Sequence, residues 1–83
     1  MNRTDPHADE PPFIVIDARG LEPPQPMERV LAGLDELPRG KRLLMRIHIQ
    51  PRPLFRMLDL NNFEYRCVPA PEGHFEVTIW HKM

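Results

Sequence analysis

No serine occurs in the 83 residues, and cysteine is present only once, as Cys67. The first absence, with threonine confined to Thr4 and Thr78, removes the hydroxyl nucleophiles of serine-hydrolase chemistry. A lone cysteine excludes an intrachain disulfide framework. With no charged-then-apolar leader at the N-terminus, the expectation is a reducing compartment and a cytoplasmic location. No Gly-rich phosphate loop is present. The longest unbroken apolar run, Phe13 to Ile16, is far short of the roughly 20 residues a spanning helix needs, so no membrane partner is expected. Nor is there an excess of charge of either sign: 11 basic against 12 acidic residues leave a formal net charge of −1. Without a basic stripe, nucleic acid is disfavoured as a partner.

What the chain has in quantity is arginine and proline. Lys41 and Lys82 are the only lysines, and arginine accounts for the rest of the positive charge. The arginine fork suits planar carboxylate, phosphate or sulfate, so a local anion site remains open. The 11 prolines gather in the N-terminal stretch and at element boundaries, where a fixed φ helps and a missing N–H does no harm. A length of 83 residues with 41% hydrophobic side chains fits one domain, burying roughly 60–65% of its unfolded surface.

Residues 1–12 are polar, Pro-containing and without periodicity, and read as a disordered tail. The domain is expected over residues 13–82. Phe13 to Asp17 reads as a buried strand. Pro26 opens a helix in which Met27, Val30, Leu31, Leu34 and Leu37 share a core face. Pro38 and Gly40 end it. A second strand follows, with Leu43, Met45, Ile47 and Ile49 on one face and Leu44, Arg46 and His48 on the other. Pro51 and Pro53 open a second helix carrying Leu54, Met57 and Leu58, and Asn61 or Asn62 suits a left-handed exit. Two strands close the chain. In one, Phe63, Tyr65 and Cys67 alternate with Glu64, Arg66 and Val68. In the other, Phe75, Val77 and Ile79 alternate with Glu76, Thr78 and Trp80.

The order β-α-β-α-β-β implies an α/β (α+β) two-layer sandwich, a four-stranded mixed sheet with two helices on one face. The open sheet face would carry Arg46, Glu64, Arg66, Glu76 and Thr78, whose opposite charges can pair across strands. Leu44, Val68 and Trp80 would make an apolar patch there, suited to a second copy or another protein, with cover by the tail as the alternative.

The segment Asp17 to Pro26, D-x-R-G-L-x-x-P-x-P between first strand and first helix, resembles the TusA/SirA-like family of small sulfur carriers. The likeness covers about residues 13 to 82. In that family a cysteine precedes the first of the two spaced prolines and carries a persulfide. Pro24 and Pro26 match those prolines, and the cysteine position is Pro23. The RGLEPP-x-P loop and the HxxPRPL-like stretch from His48 to Leu54 resemble in particular an uncharacterised branch of the superfamily, a domain of unknown function. Persulfide transfer needs a thiolate, and a helix N-terminus lowers a thiol pKa. Proline offers no nucleophile. Cys67, in phase with Phe63 and Tyr65, is expected to point into the core.

Ligands of such sheets bind beyond the carboxyl ends of parallel strands. Arg19, Glu22, Pro24, Pro26, His48, Gln50 and Arg52 are therefore the candidate binding residues, with two helix starts directed into the gap. Four of them have a purely structural account as well: Arg19 pairing with Asp17 or Glu22, Glu22 complementing the helix dipole, Arg52 solvated, His48 hydrogen-bonded at a strand end. His48 can also act as acid, base or metal ligand. His7, His74 and His81 are not at ligand spacing with it, and no cofactor is expected. The reading is a non-enzymatic binding or adaptor module that has lost sulfur-carrier chemistry, recognising a partner protein or small anion in a sulfur or redox setting. Sulfur transfer or redox work through Cys67 or His48, and metal or haem binding through His48, are the alternatives.

Overall fold

The computed structural model describes residues 10–82. Of the expected tail, residues 1–9 lie outside the described residues, and Glu10 to Pro12 lead into the first strand. The elements are β1 (Ile14–Asp17), α1 (Gln25–Glu36), β2 (Arg42–Ile47), α2 (Arg52–Leu60), β3 (Phe63–Pro69) and β4 (Phe75–His81). The sheet order is β1-β2-β4-β3. β1 and β2 are parallel, whereas β4 is antiparallel to both β2 and β3. A strand–helix–strand crossover lays β1 beside β2, and the β3–β4 hairpin folds back so that β4 takes the centre. Gly73, at φ 94°, makes the hairpin turn, closed by Ala70 N–H to the His74 carbonyl at 2.8 Å.

The strands alternate as their side chains require. Leu43, Met45, Ile47, Val77 and Ile79 form one core cluster with Val30, Leu34 and Leu37 from α1 and its end, and with Leu54 and Leu58 from α2. Both helices therefore cover the same sheet face. Each such aliphatic side chain contributes about 1.5–3 kcal/mol on burial. Phe55 of α2 stacks on Tyr65 of β3 with ring centroids 4.5 Å apart. The far end of α1 is tied to the last strand by His81, whose Nε2–H donates to the Leu37 carbonyl at 2.8 Å. α2 exits through Asn62 at φ 63°, the left-handed residue, while Asn61 Nδ2 donates to the Met57 carbonyl.

Five expectations need correction. The first strand is not buried: β1 begins at Ile14 on the sheet edge, covered on one face only, and Phe13 and Val15 are exposed. Leu31 is exposed, because a step of one from Val30 turns it about 100° around the helix, off the sheet. Ile49 is not a core residue: β2 stops at Ile47, the chain bends before Pro51, and Ile49 is 54% exposed. Cys67 is only half-buried, packed at the margin of the core, since β3 is an edge strand with no neighbour on its outer side. The apolar patch on the open face does not form, because Trp80 is 1% exposed while Val68 is 46% exposed. Register explains why the three do not pair. Trp80 lies between Arg42 and Glu64, Leu44 is opposite Thr78, and Val68 is opposite Glu76.

Candidate functional site

β1 and β2 run parallel and end at one edge of the sheet, and each is followed by a proline-rich loop and a helix start. α1 begins after Pro24 with Pro26 in its first turn, and α2 begins after Pro51 with Pro53 in its first turn. Neither helix has a side-chain cap. Between the two starts lies a cleft of about 160 Å³. Pro23, Pro24 and Pro26 form one wall and Pro51 and Pro53 the other, with Met45, Ile47 and Leu54 below. Met27, Ile49 and Gln50 complete it, and Gln50 is the single side chain there that carries an amide. Proline builds such a wall because its ring is a rigid apolar surface with no N–H to hydrate.

The structure divides the seven candidate residues. Pro24, Pro26 and Gln50 share the cleft. Glu22, His48 and Arg52 are exposed and do not line it. Arg19 turns away, its Nε and Nη2 donating to the two Asp17 carboxylate oxygens at 2.9 and 2.8 Å. The anion donors of the helix starts are also reduced. Gln25 N–H donates to the Glu22 carbonyl and Arg52 N–H to the Gln50 carbonyl, and the next residue in each case is proline. Only a few first-turn N–H groups remain to meet a charge, and the cleft favours an apolar occupant over a bare anion.

Arg19 belongs instead to a charged row on the open sheet face. Asp17 is beside Arg46, and Arg46 Nε lies 3.4 Å from Glu76 Oε2. Behind Glu76 sits His74, 7% exposed, its Nε2 3.7 Å from Glu76 Oε2 and its Nδ1 3.9 Å from Glu72 Oε1. Glu72 and His74 precede β4 in the hairpin turn, and their nearness to Arg46 follows from the β2–β4 register, which places Arg46 opposite Glu76. Among the described residues no group of three or more His, Cys, Asp or Glu is placed to hold a metal ion.

Hydrogen bonds from the Arg19 guanidinium, with a further one from its backbone N–H, hold the Asp17 carboxyl well below its ordinary value of 3.8. A folded-state pKa below the unfolded one gives a contribution that is present at neutral pH and lost as pH falls below about 4. Asp17→Asn is therefore expected to be slightly less stable than the parent at pH 7. The two should converge on acidification, which thermal unfolding at stepped pH reads directly; a gap that widens toward pH 3 would refute the pairing. The effect is small because both partners face solvent.

Pro23, on the cleft wall before α1, offers no thiol, and the one thiol, Cys67, lies on β3, away from that cleft. Burial pushes the Cys67 thiol up from its ordinary value. A family model described as uncharacterized conserved protein (DUF2249) matches residues 15–81. The chain belongs to that family. Among solved structures, a SirA-like protein from Desulfitobacterium hafniense shares the fold of this DUF2249 chain with a TM-score of 0.75 and 24% identity. The match covers 86% of this chain and 100% of the other. No curated protein matches the sequence. Among the described residues, no helix is long and apolar enough to cross a membrane.

Proposed function

We propose that this DUF2249 domain is a non-enzymatic binding module. It docks a partner protein through the proline-walled cleft, with Glu22, His48 and Arg52 as a polar rim. The observation that carries the reading is the pairing of an apolar cleft with a missing nucleophile at the position before α1. An apolar centre surrounded by polar and charged side chains is the anatomy of a protein-binding patch. A small anion fits less well, because Arg19 is held by Asp17 and the helix-start donors are depleted by proline. The likeness of fold to a SirA-like protein suggests a sulfur- or redox-linked setting and an intracellular partner.

The test uses the full chain as bait in lysate of its source cell, beside Ile49→Asp and Arg52→Glu. Ile49 is exposed, so its replacement disturbs the cleft rather than the core. The expected result is a protein retained by the parent, lost with Ile49→Asp and weakened with Arg52→Glu. Equal retention by all three would remove the cleft from consideration. Persulfide loading followed by mass spectrometry provides the second arm: sulfur taken up on Cys67 and passed to an acceptor would replace a binding role with a transfer role.

A further inference from the structure

The helix layer carries an unfilled seam. α1 packs on β1 and β2, whereas α2 packs on β3, so the two helices stand over opposite sides of the sheet. Both run antiparallel to β2, since α1 returns from β1 to β2 and α2 from β2 to β3, three strands that point the same way. The proline-walled cleft opens between their starts. Toward their far ends a second hollow, of about 430 Å³, is lined by Leu31, Leu34 and Asp35 of α1, by Met57 and the cap Asn61 of α2, and by Phe63.

The two banks of this seam differ in sign. On α1, Glu28, Leu31 and Asp35 follow at spacings of three and four, which sets them in one stripe, and all three are exposed. On α2, Arg52, Arg56 and Leu60 follow at spacings of four, and they too are exposed. Leu31 is 41% and Leu60 75% exposed. Arg29 and Glu36 are turned from the α1 stripe by about 100° or more, and Asp59 already has a partner. Among the described residues no ion pair engages Glu28, Asp35, Arg52 or Arg56. Each bank thus offers unpaired charge of one sign and a leucine standing in solvent.

Such a surface complements itself. A two-fold axis along the seam lays α1 of one copy over α2 of the other, acidic bank on basic bank, whereas an axis across the seam would set like on like. Heights agree as well. Both helices start at one edge of the sheet, and at 1.5 Å per residue Glu28 stands about 4.5 Å and Arg56 about 6 Å beyond its helix start, Leu31 about 9 Å and Leu60 about 12 Å.

We propose that a second copy of this chain docks on the helix layer, forming a parallel two-fold dimer in which Glu28 of each copy meets Arg56 of the other and Leu31 meets Leu60. This surface is separate from the proline-walled cleft, and the dimer brings the two clefts side by side at one end. Helices of 12 and 9 residues present a small face, below the roughly 800 Å² per partner of a standard interface, so the association is weak and concentration-dependent.

Sedimentation equilibrium of the full chain over a concentration series provides the test. The parent is expected to pass from monomer to dimer with a dissociation constant of about 10–100 µM, weakened several-fold by high salt. Glu28→Arg and Arg56→Glu should each lower self-association by about ten-fold or more, because either change sets like charges together twice. An equimolar mixture of the two should recover dimer near the parent's strength, since every bank then faces its opposite. Leu60→Asp is expected to remain monomeric. All three positions are exposed, and an unchanged far-ultraviolet circular dichroism spectrum checks that each variant is folded. A parent that stays monomeric at millimolar concentration overturns the proposal, as does a mixture of the two charge variants that associates no better than either alone. So does a dimer that all three variants leave intact, which would put the contact on another face.

Discussion

Pro23→Cys is expected to give a thiol that alkylates at pH 7 roughly 10- to 100-fold faster than Cys67 does in the parent chain. Pro23 is exposed on the cleft wall, two residues before α1 begins at Gln25. A thiolate there gains from the positive end of the helix, which lowers its pKa and raises its population at neutral pH. Cys67 has the reverse environment: burial at the core margin disfavours its charged form. The comparison is made by mass gain of the intact chain with iodoacetamide, reading the new thiol in a Cys67→Ser background. Were Cys67 to react as fast as the installed cysteine, the proposed binding role would lose its support, because the scaffold would already hold a competent nucleophile.

The second large effect lies at the contact of α1 with the sheet. Gly33 is inside α1, and a Cβ placed on it would come 2.8 Å from Leu43 Cδ1 and 3.1 Å from Ile16 Cδ1. Leu43 is fully buried and has little room to yield. Gly33→Ala gains about 1 kcal/mol of helix propensity but incurs an overpacking cost of about 1–3 kcal/mol, so a net loss is expected. Leu43→Ala alone should cost about 3–5 kcal/mol through the cavity it leaves. In the double variant the alanine methyl enters that cavity, and Gly33→Ala should turn neutral or stabilising, a coupling of about 1–3 kcal/mol. Urea denaturation of the four proteins measures this cycle. An equal effect of Gly33→Ala in both backgrounds would mean that α1 does not approach β2 as closely as described.

Much of the architecture was legible because it rests on local periodicity. The alternation of Leu43, Met45 and Ile47, the helical spacing of Val30, Leu34 and Leu37, and the prolines opening both helices each follow from short-range geometry. The misplacements fall where local pattern has no information. Ile49 continues the alternation of β2, but the strand stops two residues earlier, and nothing in a period of two marks an end. Leu31 fits a broad apolar stripe, yet the sheet meets only part of it. Of the candidate site, the convergence of the two loops could be argued from parallel strand ends. The pairing of Arg19 was open between Asp17 and Glu22, and the turn after β1 decides it for Asp17.

The residue string on its own settled the element order, the absence of a thiol before α1 and the likeness to a SirA-like fold. Each of these is carried by which residue stands where along the chain. Strand order was decided only in three dimensions, since β4 reaches the centre through pairing with β2, a contact between residues far apart in sequence. The same is true of the apolar character of the cleft and the burial of Trp80. Both arise from surfaces brought together across the sheet, and hydrophobic burial depends on which surfaces meet rather than on their order along the backbone.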